Sequence, residues 1–253
     1  MDIVIIGSGN TAAVLGRKFK AAGHHILQVV SRNAKAASEL AYEWGTVSTN
    51  YQSPITKKAD VYLIAISDDA IDLVVEDLRF PGKVVVHTAA SVPMDVLKKV
   101  SQHYGVFYPL QSLRKDMKLV PPVPIFFDGI DLITKKTLEK LAHSISDEQV
   151  SEAGDDARLK LHVAAIFVSN FTNHMYTLAE EYCRKEGIDF KQLLPLIEET
   201  TARIKEVSPQ NAQTGPALRH DKETIQKHLE LLDKYPRLKK IYQLLSESIG
   251  ESK

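Results

Sequence analysis

Gly7, Gly9 and Ala12, in the run Gly7-Ser8-Gly9-Asn10-Thr11-Ala12, have the spacing G-x-G-x-x-A. That spacing suits the close approach of a phosphate. Gly7 allows a tight turn, Gly9 lets the backbone near the anion, and Ala12 is small enough for a helix to pack on a strand. The apolar run 3–6 precedes it and a helical pattern through Arg17 and Phe19 follows, so the free N–H groups of a helix N-terminus would face the anion. A lone glycine motif is a weak signal. Strand, motif and helix in this order read as the pyrophosphate site of a dinucleotide, held by Gly7, Ser8, Gly9, Asn10 and Thr11.

The next apolar run, 26–30, ends in Ser31-Arg32-Asn33. A site built for NAD places a carboxylate here to hold the ribose 2′-hydroxyl. This chain offers a hydroxyl and a guanidinium instead, with Lys35 close behind, and these suit the 2′-phosphate of NADP. A solvated strand-end arginine is the plain alternative for Arg32.

A second set of candidate groups lies on the helical pattern running from about Asp155 to Glu186. At 100° per residue, Ser169 and Asn173 fall within about 20° of His162, with Asn170 and Thr177 on one side. Ala164, Phe167, Val168, Phe171, Met175 and Leu178 fall on the opposite face. Between Leu161 and Ala179 the pattern contains no Lys, Arg, Asp or Glu. A neutral polar stripe of this kind lines a cleft or a subunit interface. A set of groups paired only for structure gives the same pattern. If the stripe is catalytic, His162 is the general acid, and Asn170 and Asn173 orient a carbonyl or imine. Arg219, in Thr214-Gly215-Pro216-Ala217-Leu218-Arg219-His220-Asp221, could clamp a carboxylate or pair with an acid nearby; Asp221 suits a helix cap. A third candidate, Phe107-Tyr108-Pro109-Leu110-Gln111-Ser112, brings Gln111 and Ser112 to a strand end, where turn formation at Pro109 is the plain reading.

These groups need elements to position them. Strands are expected at 2–6, 26–30, 60–66, 83–87, 105–108, 123–127 and 148–152. Helices are expected at 10–22, 34–44, 68–77, 93–102 and 134–145. The alternation implies an α/β domain, a doubly wound parallel sheet with ligands at the strand C-terminal rim. That rim should carry Gly7-Ser8-Gly9, Ala65-Ile66-Ser67-Asp68 and His87-Thr88-Ala89-Ala90. We expect Ala65, Ile66, Ser67, His87 and Thr88 to flank the ribose and nicotinamide half. After Gly154 only helical patterns follow: the long one, one after Asp189 that Pro195 would kink, then 221–232 and 236–249. The expected division is 1–153 for the dinucleotide and 154–253 for an all-helical domain.

The chain has 253 residues, 32 basic against 32 acidic side chains, and one cysteine, Cys183. Balanced charge argues against a general nucleic-acid binder. A single cysteine rules out an internal disulfide and fits a reducing compartment. The apolar stretch 161–171 is too short and too polar to span a bilayer, and the start lacks a signal-peptide pattern, so a cytoplasmic protein without membrane contact is expected. No metal-binding spacing occurs among the histidines, and no metal is expected.

Taken in order, these residues resemble the bacterial Rossmann-like proteins whose helical C-terminal part is a domain of unknown function, number 2520. The resemblance rests on Gly7-x-Gly9-Asn10, His87-Thr88-Ala89 and Tyr108-Pro109-Leu110-Gln111. In the helical half it rests on Arg158 with His162, Ser169-Asn170, Thr214-Gly215-Pro216, Arg219, Asp221 and His228. The chain is similar, more distantly, to deazaflavin-dependent NADP oxidoreductases and pyrroline-5-carboxylate reductases. The resemblance implies a Rossmann domain and a helical domain of the 6-phosphogluconate-dehydrogenase C-terminal kind, a dinucleotide cofactor and a homodimer through the helical domain. Two positions depart from the pattern: Ala90 and His220 stand where glycine is expected. The lysine that β-hydroxyacid dehydrogenases place on the long helix has no counterpart facing His162, since Lys160 lies off that face. Two functions fit: an NADP-dependent oxidoreductase acting on a small carbonyl or imine between the two domains, or a non-catalytic NADP-binding sensor or scaffold.

Overall fold

The structure, a computed structural model, describes residues 1–146 and 149–251. The first residue of the strand expected over 148–152 and the last two of the expected helical domain lie outside the described residues. The chain divides into two compact units, Met1–Asn170 and Phe171–Lys253.

The first unit is built on eight strands. They are β1 (Asp2–Ile6), β2 (His25–Val30), β3 (Val47–Thr49), β4 (Val61–Ile64), β5 (Val84–His87), β6 (His103–Pro109), β7 (Ile125–Gly129) and β8 (Val150–Glu152). They form one sheet in the order β3-β2-β1-β4-β5-β6-β7-β8. The reversal of order at β1/β4 opens the crevice where ligands of doubly wound sheets bind. Residues 3–6 of β1 and all of β4 are buried and without charge because both faces are covered. Ile3, Ile5, Val61 and Leu63 pack on one side against α1 (Asn10–Ala21), α2 (Ala34–Trp44) and α4 (Leu132–His143). Val4, Ile6, Tyr62 and Ile64 pack on the other against α3 (Asp68–Val75) and a 3-10 turn at Met94–Leu97. Asn33 caps α2 through the Ala36 N–H at 3.0 Å, and Asp131 caps α4 through the Thr134 N–H at 2.8 Å.

Three expectations change. The sheet is not wholly parallel: β7 pairs antiparallel with β6, and β8 follows β7. The 110–124 connection holds Pro121, Pro122 and Pro124 and no helix, so no crossover returns the chain to a parallel neighbour. The helix expected at 93–102 shrinks to the 3-10 turn, because the Val100 carbonyl accepts the Phe80 N–H at 2.8 Å and ties the segment back. Edge strand β3, three residues long, carries no alternation a sequence could reveal.

The long helical stretch is not one α-helix. It runs as α5 (Asp155–Ala165), a π turn at Ile166–Phe171, and α6 (Thr172–Glu186). The 100° spacing does not carry across a π turn, whose i→i+5 bonds hold an extra residue, so Asn173 and Thr177 beyond it do not keep the expected angles to His162.

The second unit continues from Phe171 through α6, a 3-10 turn at Phe190–Leu193, α7 (Leu194–Arg203), α8 (Pro209–Ala212), α9 (Lys222–Leu231) and α10 (Pro236–Glu251). Pro195 starts α7 rather than kinking it, a proline in the first turn costing no hydrogen bond. Asp221 caps α9 through the Thr224 N–H at 3.1 Å. Few apolar side chains of this unit are buried, Leu178, Cys183, Ala217 and Leu232 among them, while Leu194, Leu196, Ile204 and Leu244 are exposed. No helix among the described residues is long and apolar enough to cross a membrane.

Candidate functional site

The first unit holds a cavity of about 340 Å3 at the crevice. Gly7 lets the turn after β1 pack against Ala65, one of the lining residues. Its φ is +128°, and a Cβ there would lie 2.0 Å from the Ala65 carbonyl oxygen, so β1 and β4 could not approach with any other residue. Gly9 is the N-cap of α1, and nothing lies within 4 Å of a Cβ placed on it; that space is open to a ligand. Gly9, Asn10 and Thr11 line one end, and Ala65, Ile66 and Ser67, on the turn after β4, line the side. The Asn10 side chain is spent on the Lys115 N–H at 3.1 Å, leaving the backbone of the turn to face the cavity. Arg32 closes the far end with Tyr51, Ala70 and Val74 and, among the described residues, is the one charged side chain on this lining. An adjoining cavity of about 510 Å3 shares Arg32, Tyr51 and Val74 and adds Lys57 and Arg79 against one carboxylate, Asp77. Positive charge therefore gathers at this end, with Arg32, Lys57 and Arg79 against Asp77.

Other expected cofactor residues stand beneath this surface. The Ser8 and Ser31 hydroxyls bond each other at 2.8 Å, and Ser31 also accepts the Asn33 N–H, so Ser31 holds the turn that presents Arg32. Thr88 is buried, and its N–H bonds the Ile64 carbonyl at 3.1 Å. His87 is fully buried; its Nδ1 accepts the Ala89 N–H at 3.2 Å. Burial, and then the Arg158 charge, pushes this imidazole down to about 4. His87 is therefore neutral under ordinary conditions and shapes the 88–92 turn from below.

Arg158 of α5 holds the same turn and is 1% exposed. Its Nε donates to the Ala89 and Ala90 carbonyls at 3.2 Å, and its Nη2 donates to the Val92 carbonyl at 2.7 Å and to Asp155 Oδ1 at 2.8 Å. Asp68, first residue of α3, accepts from the Ser91 hydroxyl at 2.5 Å. The turn after β5 is thus pinned at four carbonyl or hydroxyl groups by two flanking helices.

A second cavity, of about 580 Å3, opens where β6 ends. Tyr108, Gln111 and Ser112 line it from the strand end, and Leu161, His162, Val168, Ser169 and Asn170 from α5 and the π turn. The Tyr108 hydroxyl lies 3.1 Å from His162 Nδ1, with the rings edge-on at 6.2 Å between centroids. Burial, reinforced by Asp68, pushes the Tyr108 phenol up against the opposing charge of Arg158, so it keeps its proton at neutral pH. No Lys, Arg, Asp or Glu is among the described residues on this lining.

Of the expected catalytic residues, the structure brings His162 and Asn170 to this cavity, together with Ser169. Asn173 and Arg219 belong to the second unit, where both side chains are exposed. Sequence reasoning quoted Tyr108 without giving it a role. Its signal was available: a hydroxyl closing an apolar strand at the ligand rim. Tyr51 had none, since it follows an edge strand that was not recognised.

Comparison with known proteins follows this geometry closely. Residues 123–249 match the family described as a domain of unknown function, DUF2520, and residues 2–91 match the family described as NADP oxidoreductase, coenzyme F420-dependent. A candidate NADP oxidoreductase of Bacteroides fragilis, BF3122, is 37% identical, with 99% of this chain and 98% of that chain covered, at a TM-score of 0.89. The fold is shared at lower identity. A reductive aminase of Aspergillus terreus, solved with NADPH and ethyl-5-oxohexanoate, is 17% identical over 98% of this chain and 94% of its own, at a TM-score of 0.69. A 1-pyrroline-5-carboxylate reductase of Streptococcus pyogenes is 15% identical over 99% of this chain and 98% of its own, at a TM-score of 0.65. No functionally curated protein matches the chain.

Proposed function

The chain belongs to the DUF2520 family, and from that premise we propose that it is an NADP-dependent oxidoreductase that reduces a small carbonyl compound or imine. One observation carries the proposal: the glycine turn and the Ala65-Ile66-Ser67 turn line a cavity whose other end is Arg32, with Lys57 and Arg79 just beyond. That arrangement suits a pyrophosphate at a helix N-terminus and a 2′-phosphate among guanidinium and ammonium groups. The family resemblance in residues 2–91 supports the same cofactor.

NADPH, when bound, supplies a hydride to the carbon of the double bond. The chain's own groups do the rest. His162 passes a proton to the oxygen or nitrogen, and Asn170 orients the double bond by hydrogen bonding. The 88–92 turn, held by Arg158, His87 and Asp68, borders the reacting end. We assign the dinucleotide to residues 1–153 and dimerisation and substrate contacts to 154–253. Leu194, Leu196, Ile204 and Leu244, exposed on helices of the second unit, favour a second copy of the chain as partner.

The purified protein is to be titrated with NADPH, then assayed for loss of reduced-nicotinamide absorbance across a panel of ketones, aldehydes and imines. We expect binding that Gly9→Val abolishes and turnover that His162→Ala lowers by about 10²–10⁴-fold with NADPH affinity intact. Binding without turnover across the whole panel supports a sensor or scaffold instead. Light scattering on the same preparation should give twice the chain mass, and Leu196→Glu should halve it.

A further inference from the structure

The 580 Å3 cavity joins two properties that bear on what can enter it: a lining without a formal charge and a histidine fastened at one ring nitrogen. Leu110, Leu113, Leu161, Ala164, Ala165 and Val168 provide the apolar part. Tyr108, Gln111, Ser112, His162, Ser169 and Asn170 provide the polar part, all neutral donors or acceptors when the imidazole is unprotonated. A carboxylate placed here would give up part of its hydration without meeting a cation on the described lining, which disfavours it against a neutral group of the same shape.

His162 lines the cavity while its Nδ1 is taken by the Tyr108 hydroxyl, and no described residue meets Nε2. In a neutral imidazole one nitrogen donates and the other accepts, and the bond made by one decides the state of the other. A protonated phenol can donate to Nδ1 or accept from it; when it donates, the ring proton lies on Nε2, the atom left for an occupant. Once the ring takes up a second proton, the same hydroxyl accepts from Nδ1–H, so the ring keeps its orientation in both states.

We propose that this cavity binds an uncharged carbonyl compound with an apolar body, whose oxygen accepts from His162 Nε2–H, and that Tyr108 is the positioning residue that sets this tautomer. The proposal rests on the oxidoreductase reading for the reaction that follows, but not for the binding itself. A carbonyl oxygen offers lone pairs and no proton, so the tautomer with Nε2–H binds it and the other does not. The apolar positions accept the substituents.

The full-length protein, labelled with 15N at histidine, reports the tautomer directly at about pH 8, where an imidazole is unprotonated. We expect a pyrrole-like Nε2 and a pyridine-like Nδ1 for His162 in the native protein. Tyr108→Phe should raise the Nδ1–H population about fivefold, the worth of one hydrogen bond, without loss of the amide spectrum. Two ketones matched in shape, 4-methylcyclohexanone and 4-oxocyclohexanecarboxylate, then probe the lining, each with and without NADPH. The neutral ketone should shift the Nε2 resonance, and the carboxylate should bind at least about tenfold more weakly. His162→Gln, which keeps an N–H donor near the same place, should retain the neutral ketone; His162→Ala should lose it. A His162 with its proton on Nδ1, a tautomer indifferent to Tyr108→Phe, or a carboxylate that binds as tightly as the ketone overturns the proposal. Failure of NADPH to bind, recorded separately by its fluorescence, overturns the oxidoreductase reading and leaves the ketone result standing.

Discussion

Two of the cavities described in the first unit are made differently. The dinucleotide cavity is largely a backbone construction: Gly9, Asn10 and Thr11 at a helix start, Ala65, Ile66 and Ser67 after a strand, and one charged side chain, Arg32. The Tyr108–His162 cavity is a side-chain construction, assembled from a strand end and from α5 with its π turn, 54 residues apart along the chain. Beside it, around the 88–92 turn, lies a polar layer whose buried part is Arg158 and His87, with Asp155 half-buried and Asp68 and Ser91 exposed. A backbone cavity needs a few small residues in fixed order. A side-chain cavity needs partners that only the folded chain brings together. The first should therefore tolerate side-chain exchange outside its glycines and Arg32, and the second should fail when its supports are removed.

The sharpest way to break that contrast is Arg158→Met. Methionine replaces the volume but strands the Ala89, Ala90 and Val92 carbonyls and releases Asp155. Asp155, half-exposed, turns to water, but each buried carbonyl left without a donor costs about 1–3 kcal/mol, so chemical denaturation should show a loss of several kcal/mol. Turnover should fall further than NADPH affinity, since the 88–92 turn loosens while the glycine turn does not. A variant within about 1 kcal/mol of the native protein would mean that the buried layer supports nothing.

A somewhat smaller effect comes from His87 and depends on pH. Its imidazole titrates at about 4 in the fold, with burial first and Arg158 second as the causes. An unfolded histidine titrates near 6.5, so between these values the unfolded chain binds the proton and the folded chain does not. The contribution is fully present above about pH 6.5 and is lost as pH falls toward 4, in total about 3 kcal/mol. Stability curves for native protein and His87→Gln, subtracted at each pH, should differ by that slope across this window alone. Parallel curves would sink the assignment of His87 as a neutral buried support.

The contrast also sets what a sequence can disclose. The glycine turn was legible because its parts are adjacent and each answers a local demand, such as the approach of Gly7 to Ala65. The parallel core was legible because β1 is apolar from Ile3 to Ile6 and β4 is buried and charge-free throughout. Reversal of β7 was not, since direction depends on what the proline-bearing connection omits rather than on a residue it contains. The π turn at Ile166–Phe171 defeats a helical-wheel reading, because no residue in it departs from helical preference. Tyr108 acquires meaning only beside His162, a contact that no local pattern encodes.

Arg32 tests the other side of the contrast. If the dinucleotide cavity is backbone-built, its one cation should decide between cofactors rather than decide binding. Arg32→Ala should weaken NADPH by about 10–100-fold, the range of a charge-assisted pair, and leave NADH within about twofold. Fluorescence titration with both cofactors measures the two constants. Equal losses would assign Arg32 to the adenine or to the fold, and the 2′-phosphate reading would go with them.

The smallest effect concerns neither cavity. His220, in the second unit, has φ of +56°, and among the described residues it is the one non-glycine residue with positive φ. Family resemblance expects glycine at this position. An L side chain in the left-handed region costs about 1–2 kcal/mol, of which glycine regains part and loses about half to its freer unfolded chain. His220→Gly should therefore gain up to about 1 kcal/mol, read as a raised thermal midpoint, with both cofactor affinities unchanged. His220→Ala separates the causes. Alanine keeps the strained φ and removes only the ring, which lies 3.9 Å from the position of a Gly250 Cβ. A gain with glycine and none with alanine assigns the strain to the backbone. Equal gains would place the cost in the ring's packing, and a loss with glycine would mean that the imidazole holds the turn by contacts worth more than the strain it tolerates.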